Sequence, residues 1–286
     1  VLLTIVAILK VLLIFLRIKP YAVVGTGGFV CIPAVISGYI MGARIYLQEQ
    51  NAVPGAAIKY LSKFARKVFI GFEDCKKFFP EKKVVVTGNP IKSGFFSEDI
   101  RYNKLRNNEK LSLLVMGGSQ GSRFINELVI SAIEYINKNN IRVFHQTGEK
   151  YKDFALDVYK KNDIEAEVFA FTDKIIDYYK KSHLVIGRAG AMSVSELIAV
   201  NRPAILIPFP YAIYDHQARN AEYLKNLGTA LMFRENEIDG KKLAEIINDF
   251  YNNPEKLENM ASNYERIQKK NASELIVNHI LEDLGV

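Results

Sequence analysis

The feature that most constrains the fold is an alternation of short, continuously apolar runs with segments of helical pattern. Strands that alternate with helices form βαβ units and parallel sheets. Runs without polar alternation are typical of strands that are covered on both faces. The runs rich in β-branched residues predict strands at Tyr21–Val24, Arg44–Gln48, Val68–Ile70, Val84–Thr87, Leu111–Met116, Arg142–His145, Glu167–Phe169, Leu184–Ile186, Ala204–Ile207 and Ala230–Phe233. The predicted fold class is therefore α/β with parallel sheets.

The segments between these strands predict helices. Helical patterns cover Gly55–Arg66, Ser122–Asn137, Lys150–Lys161, Ser193–Val200 and His216–Leu227, and from Asp239 to Val286 the pattern is helical throughout. The chain shows no internal repeat and no low-complexity tract.

The chain has 286 residues, enough for two domains of ordinary size. The best boundary is Ser93–Lys110, which is polar, carries mixed charge and follows a Gly-Asn-Pro breaker. We expect a first domain at 1–92, a linker at 93–110 and a second domain at 111–286, whose last helix is a candidate to pack back on the first domain. The alternative is a long loop within one domain, but a single open sheet rarely carries so many strands.

Charge and cysteine content narrow the class of partner. The formal net charge is +7, which suits nucleic acid, anionic lipid or phosphate-bearing substrates. The chain has neither a basic block interleaved with aromatic residues nor a zinc-finger or RNA-recognition signature, so no nucleic-acid partner is expected. Cys31 and Cys75 are not at metal-ligand spacing, which indicates a reducing, cytoplasmic compartment.

Three glycine-bearing turns each follow a predicted strand and precede a helical pattern. Glycine lets the backbone approach a phosphate closely, and the helix that follows presents unpaired N–H groups and the positive end of its dipole. One such turn usually serves packing alone, but three in one chain favour anion binding. None matches the Walker or the dinucleotide pattern. The turns begin at Gly25, Gly117 and Gly187.

The third turn and the start of the helical pattern after it, from Arg188 to Glu196, carry the most information. Ser193 and Ser195 are candidates to cap the helix, and N–H groups at its start suit a diphosphate. Glu196 would lie about one turn into the helix, where a carboxylate can accept both hydroxyls of a ribose. The alternative is a first-turn glutamate that only interacts with the helix dipole.

A second polar motif, Asp215-His216-Gln217, precedes another helix in the same half of the chain. Asp215 is a natural N-cap, which is its structural interpretation. Gln217 has two donors and an acceptor, so it suits the hydroxyls of a sugar.

Taken together, these motifs resemble those of the MurG family, which transfers N-acetylglucosamine (GlcNAc) from UDP-GlcNAc to lipid I to form lipid II of the bacterial cell wall. The matching segments occur in the family's order and are VVGTGGFVCIPAV, LQEQNAVPG, VVVTGNPIK, LVMGGSQGSRFIN, HQTG, GRAGAMSVSEL and PFPYAIYDHQARNA. The resemblance implies the GT-B fold, with two Rossmann-like domains that hold parallel sheets and face a cleft. The donor would bind the C-terminal domain.

The resemblance also implies roles for individual residues. Ser119 would contact the donor phosphates, Glu196 the ribose and Gln217 the GlcNAc hydroxyls, while Asn51 would reach the donor sugar from the N-terminal domain. Backbone N–H groups of the third turn would hold the diphosphate, and this set comprises Gly190, Ala191, Met192, Ser193, Val194 and Ser195. The acceptor diphosphate would be held by Gly25, Thr26, Gly27, Gly28 and Phe29.

Several positions depart from the family pattern. Gln48 replaces a usual histidine, and Lys92 replaces an arginine, which keeps the positive charge but loses bidentate geometry toward the donor phosphate. Thr172 stands where an apolar residue commonly supports the uracil through its backbone. The family's opening Gly-Gly-Thr-Gly-Gly-His loop has no counterpart here, so we expect an incomplete N-terminal domain that is inactive alone.

The implied reaction is inverting. The muramyl 4-hydroxyl of lipid I attacks the anomeric carbon, and UDP leaves from the opposite face. The sequence has no Asp-x-Asp metal site, so no cofactor or metal is expected, and the helix start with Arg188 as a helper would carry the leaving-group charge. Glu49 is the candidate general base, with a structural hydrogen bond or ion pair as its alternative. His145 and His183 suit core or surface roles, and His216 suits a helix start.

The apolar segment Val1–Ile18 has two interpretations. It is marginal as a transmembrane span because Lys10 and Arg17 interrupt it. One interpretation is a helix that covers the N-terminal sheet. The other is an interfacial helix ringed by Lys10, Arg17 and Lys19 that contacts anionic lipid at the cytoplasmic face of the plasma membrane. Different faces of one helix can do both.

Two further functions stay open at this point. One is an isomerase like UDP-GlcNAc 2-epimerase, which would need acid and base carboxylates around the sugar and no lipid acceptor. The other is an inactive nucleotide-sugar-binding module. The sequence does not indicate an oligomeric state.

Overall fold

A computed structural model describes residues 2–97, 100, 102–118, 121–267 and 271–286. The chain divides into two compact units. The first unit comprises the described residues of 1–91 and 270–286, and the second those of 92–269. Residues 93–110, predicted as a linker from their polarity, group with the second unit.

The first unit contains a four-stranded parallel sheet in the order β1-β2-β3-β4. Its elements are α1 (Leu2–Ile18), β1 (Ala22–Gly25), α2 (Cys31–Ile40), β2 (Arg44–Glu49), α3 (Ala56–Leu61), β3 (Lys67–Ile70), β4 (Val84–Val86) and α11 (Ala272–Leu284). The sheet is parallel because each pair of strands is joined by a crossover, as the alternation in the sequence predicts.

Helix α1 lies on α2 with one face and leaves the rest of its surface exposed. The Ser37 hydroxyl donates to the Ile8 carbonyl at 3.1 Å, and Phe15 packs against the core of the unit. None of the residues of α1 is fully buried. Among the described helices, none is long and apolar enough to cross a bilayer.

Helix α11 packs on the other face of this sheet, where Ile276 joins Tyr46 and Phe69 in a buried cluster. Near its end, Asp283 accepts a hydrogen bond from the Tyr46 hydroxyl at 2.6 Å and from Arg66 Nε at 2.7 Å. These contacts hold the end of the chain against the first unit.

The second unit contains a six-stranded parallel sheet in the order β10-β9-β8-β5-β6-β7. Its strands are β5 (Leu111–Met116), β6 (Ile141–Gln146), β7 (Glu165–Phe169), β8 (Leu184–Gly187), β9 (Ala204–Leu206) and β10 (Ala230–Met232). Its helices are α4 (Arg123–Ala132), α5 (Lys152–Lys161), α6 (Ile175–Lys181), α7 (Ala191–Val200), α8 (His216–Asn226), α9 (Gly240–Asn252) and α10 (Glu255–Ser262).

The strand order of this sheet reverses between β5 and β8. The chain runs outward from β5 to β7 and then returns, so that β8 pairs with β5 on its other side. At such a reversal the loops at the carboxyl ends of neighbouring strands diverge to opposite faces and leave a crevice. The second and third glycine turns of the sequence both begin at this crevice.

Candidate donor-binding site

The crevice brings the second and third glycine turns together. Met116 at the end of β5 is paired with Gly187 at the end of β8. A Cβ atom on Gly187 would lie 2.6 Å from the Met116 carbonyl oxygen, and one on Gly121 would lie 2.2 Å from the Thr147 carbonyl oxygen. Gly121 also has a φ of +76°. Glycine is therefore required at both positions by close backbone approach, and at Gly121 by backbone conformation as well.

Helix α7 begins at this crevice with Gly190 as its N-cap residue. Glycine has no side chain to occupy the first backbone N–H groups, and the first intrahelical bond of the turn runs from Val194 N to Gly190 O at 2.9 Å. Capping by Ser193 or Ser195, an expectation from the sequence, was wrong, since Gly190 is the N-cap residue and Ser195 Oγ instead donates to the Ala191 carbonyl at 2.8 Å. The start of α7 therefore presents backbone N–H donors and the positive end of the helix dipole.

Glu196 lies half-buried on α7, one turn and a half from its start. The Tyr179 hydroxyl donates to Glu196 Oε2 at 3.2 Å. Burial raises the pKa of Glu196 to about 7, against the lowering effects of the Tyr179 hydrogen bond and the positive charge of Lys92. A carboxylate with such a pKa changes its charge near neutral pH.

Lys92 was predicted to act on the donor phosphate. Its side chain is exposed, and its charge acts on Glu196. The predicted contact of Lys92 with the donor phosphate stays a prediction.

Gln217 lies on α8 and faces the same crevice. Its Oε1 accepts a hydrogen bond from the Phe209 backbone N–H at 2.9 Å. A backbone N–H can only donate, so the amide oxygen is oriented toward Phe209 and the NH₂ group is the end left to donate to a ligand. Gln217 lines a cavity of about 600 Å³, a volume in the range of small-molecule sites. The cavity is also lined by Gly117, Gly121, Ser122, Arg188, Gly190 and Ser193.

The Arg188 guanidinium is held by protein groups at the edge of this cavity. It donates to the carbonyls of Ile207 and Pro208, both at 3.1 Å, and pairs with Glu235 at 2.6 Å. It also lies over the ring of Phe209, 5.5 Å from the ring centroid. Its direct structural effect is to hold the loop after β9, and Glu235 compensates part of its charge. A role as helper for the leaving group stays a prediction.

Asp215 occupies the predicted N-cap position of α8 but does not cap the helix. Its φ is +56°, that of Tyr214 is +52°, and its side chain makes no capping hydrogen bond. The carboxylate instead forms a two-point ion pair with Arg234, at 2.9 and 2.6 Å. Two consecutive left-handed residues other than glycine cost on the order of 1–3 kcal/mol each. This ion pair therefore helps to hold a strained loop beside Gln217.

The remaining predicted donor residues lie at less informative positions. The Thr172 hydroxyl accepts a hydrogen bond from Lys174 N at 3.0 Å, so its side chain serves its own turn. Met192 is exposed near the start of α7, and Val194 is buried. Ser119 lies outside the described residues.

In the first unit, Glu49 is buried at the end of β2 and serves the turn that follows. Its Oε1 accepts hydrogen bonds from Asn51 N at 2.9 Å and Asn51 Nδ2 at 3.1 Å, and its Oε2 accepts from Gly55 N at 2.9 Å. Both oxygens are thus engaged by the Asn51–Gly55 turn. The geometry favours the structural alternative over the general-base hypothesis, and the predicted contact of Asn51 with the donor sugar stays a prediction.

Gln48, the departure from the family's histidine, is also buried. Its Nε2 donates to Asn89 Oδ1 at 2.8 Å, and Asn89 Nδ2 donates to the Gln50 carbonyl at 2.8 Å. The amide therefore has a structural role that links β2 to the Gly-Asn-Pro segment after β4.

The first glycine turn connects β1 to α2. Gly27 and Gly28 have φ values of +96° and +71°, and Phe29 is exposed. Gln50 Nε2 donates to the Thr26 carbonyl at 3.2 Å, which ties this turn to the end of β2. The predicted contact of this turn with the acceptor diphosphate stays a prediction.

Sequence reasoning missed Tyr179, which contacts Glu196, and Phe209, which orients Gln217. Tyr179 lies in a helical run without any motif, and Phe209 acts through its backbone. Although Phe209 falls within the matching segment PFPYAIYDHQARNA, its residue type does not identify this backbone contact before the tertiary structure is known.

The chain matches known families and solved structures. Residues 112–277 match the glycosyltransferase family 28 C-terminal domain, and residues 1–70 match the glycosyltransferase family 28 N-terminal domain. A relative from Myxococcus xanthus named UDP-N-acetylglucosamine–N-acetylmuramyl-(pentapeptide) pyrophosphoryl-undecaprenol N-acetylglucosamine transferase is 41% identical over 86% of this chain and 64% of its own length. A relative of the same name from Syntrophus aciditrophicus is 40% identical over 85% of this chain and 67% of its own length.

The crystal structure of Acinetobacter baumannii MurG superposes with a TM-score of 0.79 at 26% identity, over 96% of this chain and 78% of that chain. The chain belongs to the MurG family. A UDP-GlcNAc 2-epimerase from Neisseria meningitidis, bound to UDP-GlcNAc, has a TM-score of 0.69 at 16% identity over 98% of this chain and 81% of that chain, which shows a shared fold alone. The chain spans about two thirds of the length of the two MurG relatives.

Family membership confirms the α/β fold with two parallel sheets that GT-B enzymes share. It also favours glycosyl transfer over the epimerase alternative. In the described part of the chain, no three His, Cys, Asp or Glu side chains are grouped as a metal site would require.

Proposed function

We propose that this chain carries the donor-binding half of an inverting glycosyltransferase that moves GlcNAc from UDP-GlcNAc to the muramyl 4-hydroxyl of lipid I. The product would be lipid II, and the process peptidoglycan synthesis, on which cell shape and division depend. The observation that carries the proposal is the start of α7 at the sheet reversal, with Glu196 on the same helix and Gln217 across the cavity.

The donor would bind with its diphosphate at the N–H groups of Ala191, Met192 and Ser193. The helix dipole there stabilises the charge that grows on the leaving UDP as the glycosidic bond breaks. Glu196 would accept the ribose hydroxyls, and the NH₂ group of Gln217 would donate to a GlcNAc hydroxyl. Because these groups are fixed before the donor arrives, little reorganisation is needed during the reaction.

Gln217→Ala is expected to weaken the binding of UDP-GlcNAc roughly fivefold and to leave UDP affinity within about twofold of the parent. The reason is that the lost NH₂ group faces the sugar rather than the nucleotide. Isothermal titration with both ligands measures the difference. An equal loss for UDP and UDP-GlcNAc would show that Gln217 acts on the nucleotide or only on the fold.

The acceptor is an undecaprenyl lipid, so the enzyme has to reach the cytoplasmic face of the plasma membrane. Helix α1 supports such contact because large apolar side chains remain exposed along it, including Leu9, Leu13 and Leu16. The basic residues Lys10, Arg17 and Lys19 flank them. An apolar face with adjacent cations suits an interface with anionic headgroups.

Membrane contact predicts that the chain floats with vesicles of phosphatidylglycerol and phosphatidylcholine. Leu9→Asp/Leu13→Asp is expected to reduce the bound fraction more than tenfold, since each buried methylene contributes about 0.8 kcal/mol to interfacial binding. Val277→Asp, at an exposed apolar position on α11, is the control and should not change it. Equal flotation of the parent and the α1 variant would remove α1 from the membrane contact.

The catalytic proposal is tested by transfer of labelled GlcNAc to a short-chain lipid I analogue. The chain is assayed alone and fused to the portion of the M. xanthus relative that it does not match. Labelled lipid II from either protein supports the proposal. If both proteins bind UDP-GlcNAc without transferring GlcNAc, the chain is a nucleotide-sugar-binding module. Conversion of UDP-GlcNAc to its epimer without acceptor would indicate an epimerase.

A further inference from the structure

Tyr179 lies on α6, and its side chain is fully buried. The ring of Phe95 meets it edge-on, with ring centroids 5.6 Å apart and an interplanar angle of 74°. Its hydroxyl donates to Glu196 Oε2 at 3.2 Å. A ring packed on all sides has one rotamer, so the hydroxyl is fixed beside the carboxylate.

A buried arginine joins the two helices that carry this pair. Arg202 Nε donates to the Tyr179 carbonyl at 2.8 Å, and Arg202 Nη1 donates to the Val200 carbonyl at 3.1 Å. Tyr179 lies near the end of α6, and Val200 is the last residue of α7. The guanidinium thereby fixes α6 relative to α7, and with it the phenol relative to Glu196.

We propose that Tyr179 is a positioning residue whose hydroxyl orients the Glu196 carboxylate and favours its charged form for binding the nucleoside of the donor. The inference rests on the proposed function, because it takes Glu196 as the ribose ligand. A glutamate side chain has three rotatable bonds, and a fixed hydrogen bond to one oxygen removes much of that freedom before the ligand binds. A donor to the carboxylate also favours its charged form.

The surroundings of Glu196 show why the phenol is needed. Burial favours the neutral acid form of Glu196. In the described part of the chain, two titratable groups favour its charged form instead: Tyr179 from α6 and Lys92 from the segment that opens the second unit. Behind Tyr179 lie Arg202 and Tyr264, whose hydroxyl donates to the Arg202 carbonyl at 2.9 Å. Lys92 is exposed, so solvent and salt screen its interaction with Glu196. Of these two groups, only the buried Tyr179 acts on Glu196 without such screening.

The test is Tyr179→Phe, which keeps the ring, its packing on Phe95 and the carbonyl that Arg202 holds. Affinity for UDP-GlcNAc is measured by isothermal titration from pH 6 to 8.5. UDP-GlcNAc is the probe because both phosphates of its diphosphate are esterified and do not titrate in this range. The parent should lose affinity as the pH falls through about 7, since Glu196 takes up a proton there.

In Tyr179→Phe the midpoint of this loss should move to higher pH, because a group that lowers the pKa of Glu196 is gone. At pH 7 the affinity should fall roughly fivefold. At pH 8.5, where Glu196 is ionised in both proteins, only the smaller loss that comes from the missing orientation should remain. Tyr159→Phe is the matched control, since it removes a hydroxyl that is equally buried in the same unit and bonds His145 at 2.9 Å. Glu196→Gln should bind weakly with a flat pH profile.

An unchanged midpoint in Tyr179→Phe would overturn the inference, as would an equal loss at every pH in both tyrosine variants. If the parent does not bind UDP-GlcNAc, the proposed function is wrong. If Glu196→Ala loses affinity while Tyr179→Phe follows the parent's pH profile, the inference about Tyr179 alone is wrong.

Discussion

Replacing Glu196 with alanine is expected to weaken UDP-GlcNAc binding more than tenfold, a loss of more than about 1.4 kcal/mol. The carboxylate would accept two ribose hydroxyls, and hydrogen bonds to a charged group each contribute about 1.5–3 kcal/mol. The loss should be larger at pH 8 than at pH 6, because the parent's Glu196 is mostly ionised above its pKa of about 7 and mostly protonated below it.

Isothermal titration at the two pH values measures both effects. Glu245→Ala removes an exposed carboxylate from α9 of the same unit and serves as the control for a general change of charge. Affinity within twofold of the parent in Glu196→Ala would remove this residue from the site. If the loss of affinity in Glu196→Ala were the same at both pH values, Glu196 would contribute to binding without depending on its ionisation.

Gly121→Ala is expected to lower the free energy of unfolding by on the order of 3 kcal/mol and to abolish measurable donor binding. The new methyl group would meet the Thr147 carbonyl oxygen at 2.2 Å, and the residue would have to keep a φ of +76°. Thr147 cannot move away easily, because its carbonyl also accepts from Asn126 Nδ2 at 2.9 Å in the core. The strain therefore falls on the second glycine turn.

Gly118→Ala is the matched control for this change. Gly118 has a φ of +92°, but among the described residues no atom would lie within 4 Å of a Cβ atom there. Gly118→Ala therefore has only the conformational cost of a positive φ, about 1–2 kcal/mol, and no steric clash. Urea unfolding and UDP-GlcNAc titration of both variants give the comparison. Equal destabilisation would mean that the contact of Gly121 with Thr147 does not constrain the turn.

The central strands of the two sheets were predictable because they are buried on both faces. The run Leu111–Met116 is apolar apart from Ser112 and appears unchanged as β5. Helix bounds were less accurate, and α3 ends at Leu61 instead of the predicted Arg66. Ser62 follows it, and its hydroxyl donates to the Lys59 carbonyl at 2.8 Å, a local contact that competes with continuation of the helix.

At the site, the backbone features were predictable and the side-chain partners were not. The glycine turns and the helix start after Gly190 follow from local conformational preferences. The partners of Asp215 and Glu196, which are Arg234 and Tyr179, come from elements distant in sequence. A residue such as Asp215 can cap a helix or form an ion pair with an arginine from another element. Only the tertiary structure decides between these two interactions.

Donor binding by this chain requires a diphosphate at the start of α7 and a ribose at Glu196. The most direct test is a crystal structure of the chain with UDP bound. Diphosphate oxygens should lie within about 3.2 Å of the backbone nitrogens of Ala191–Ser193, with the ribose hydroxyls on the Glu196 carboxylate. UDP bound elsewhere in the second unit, or a ribose turned away from Glu196, would contradict it.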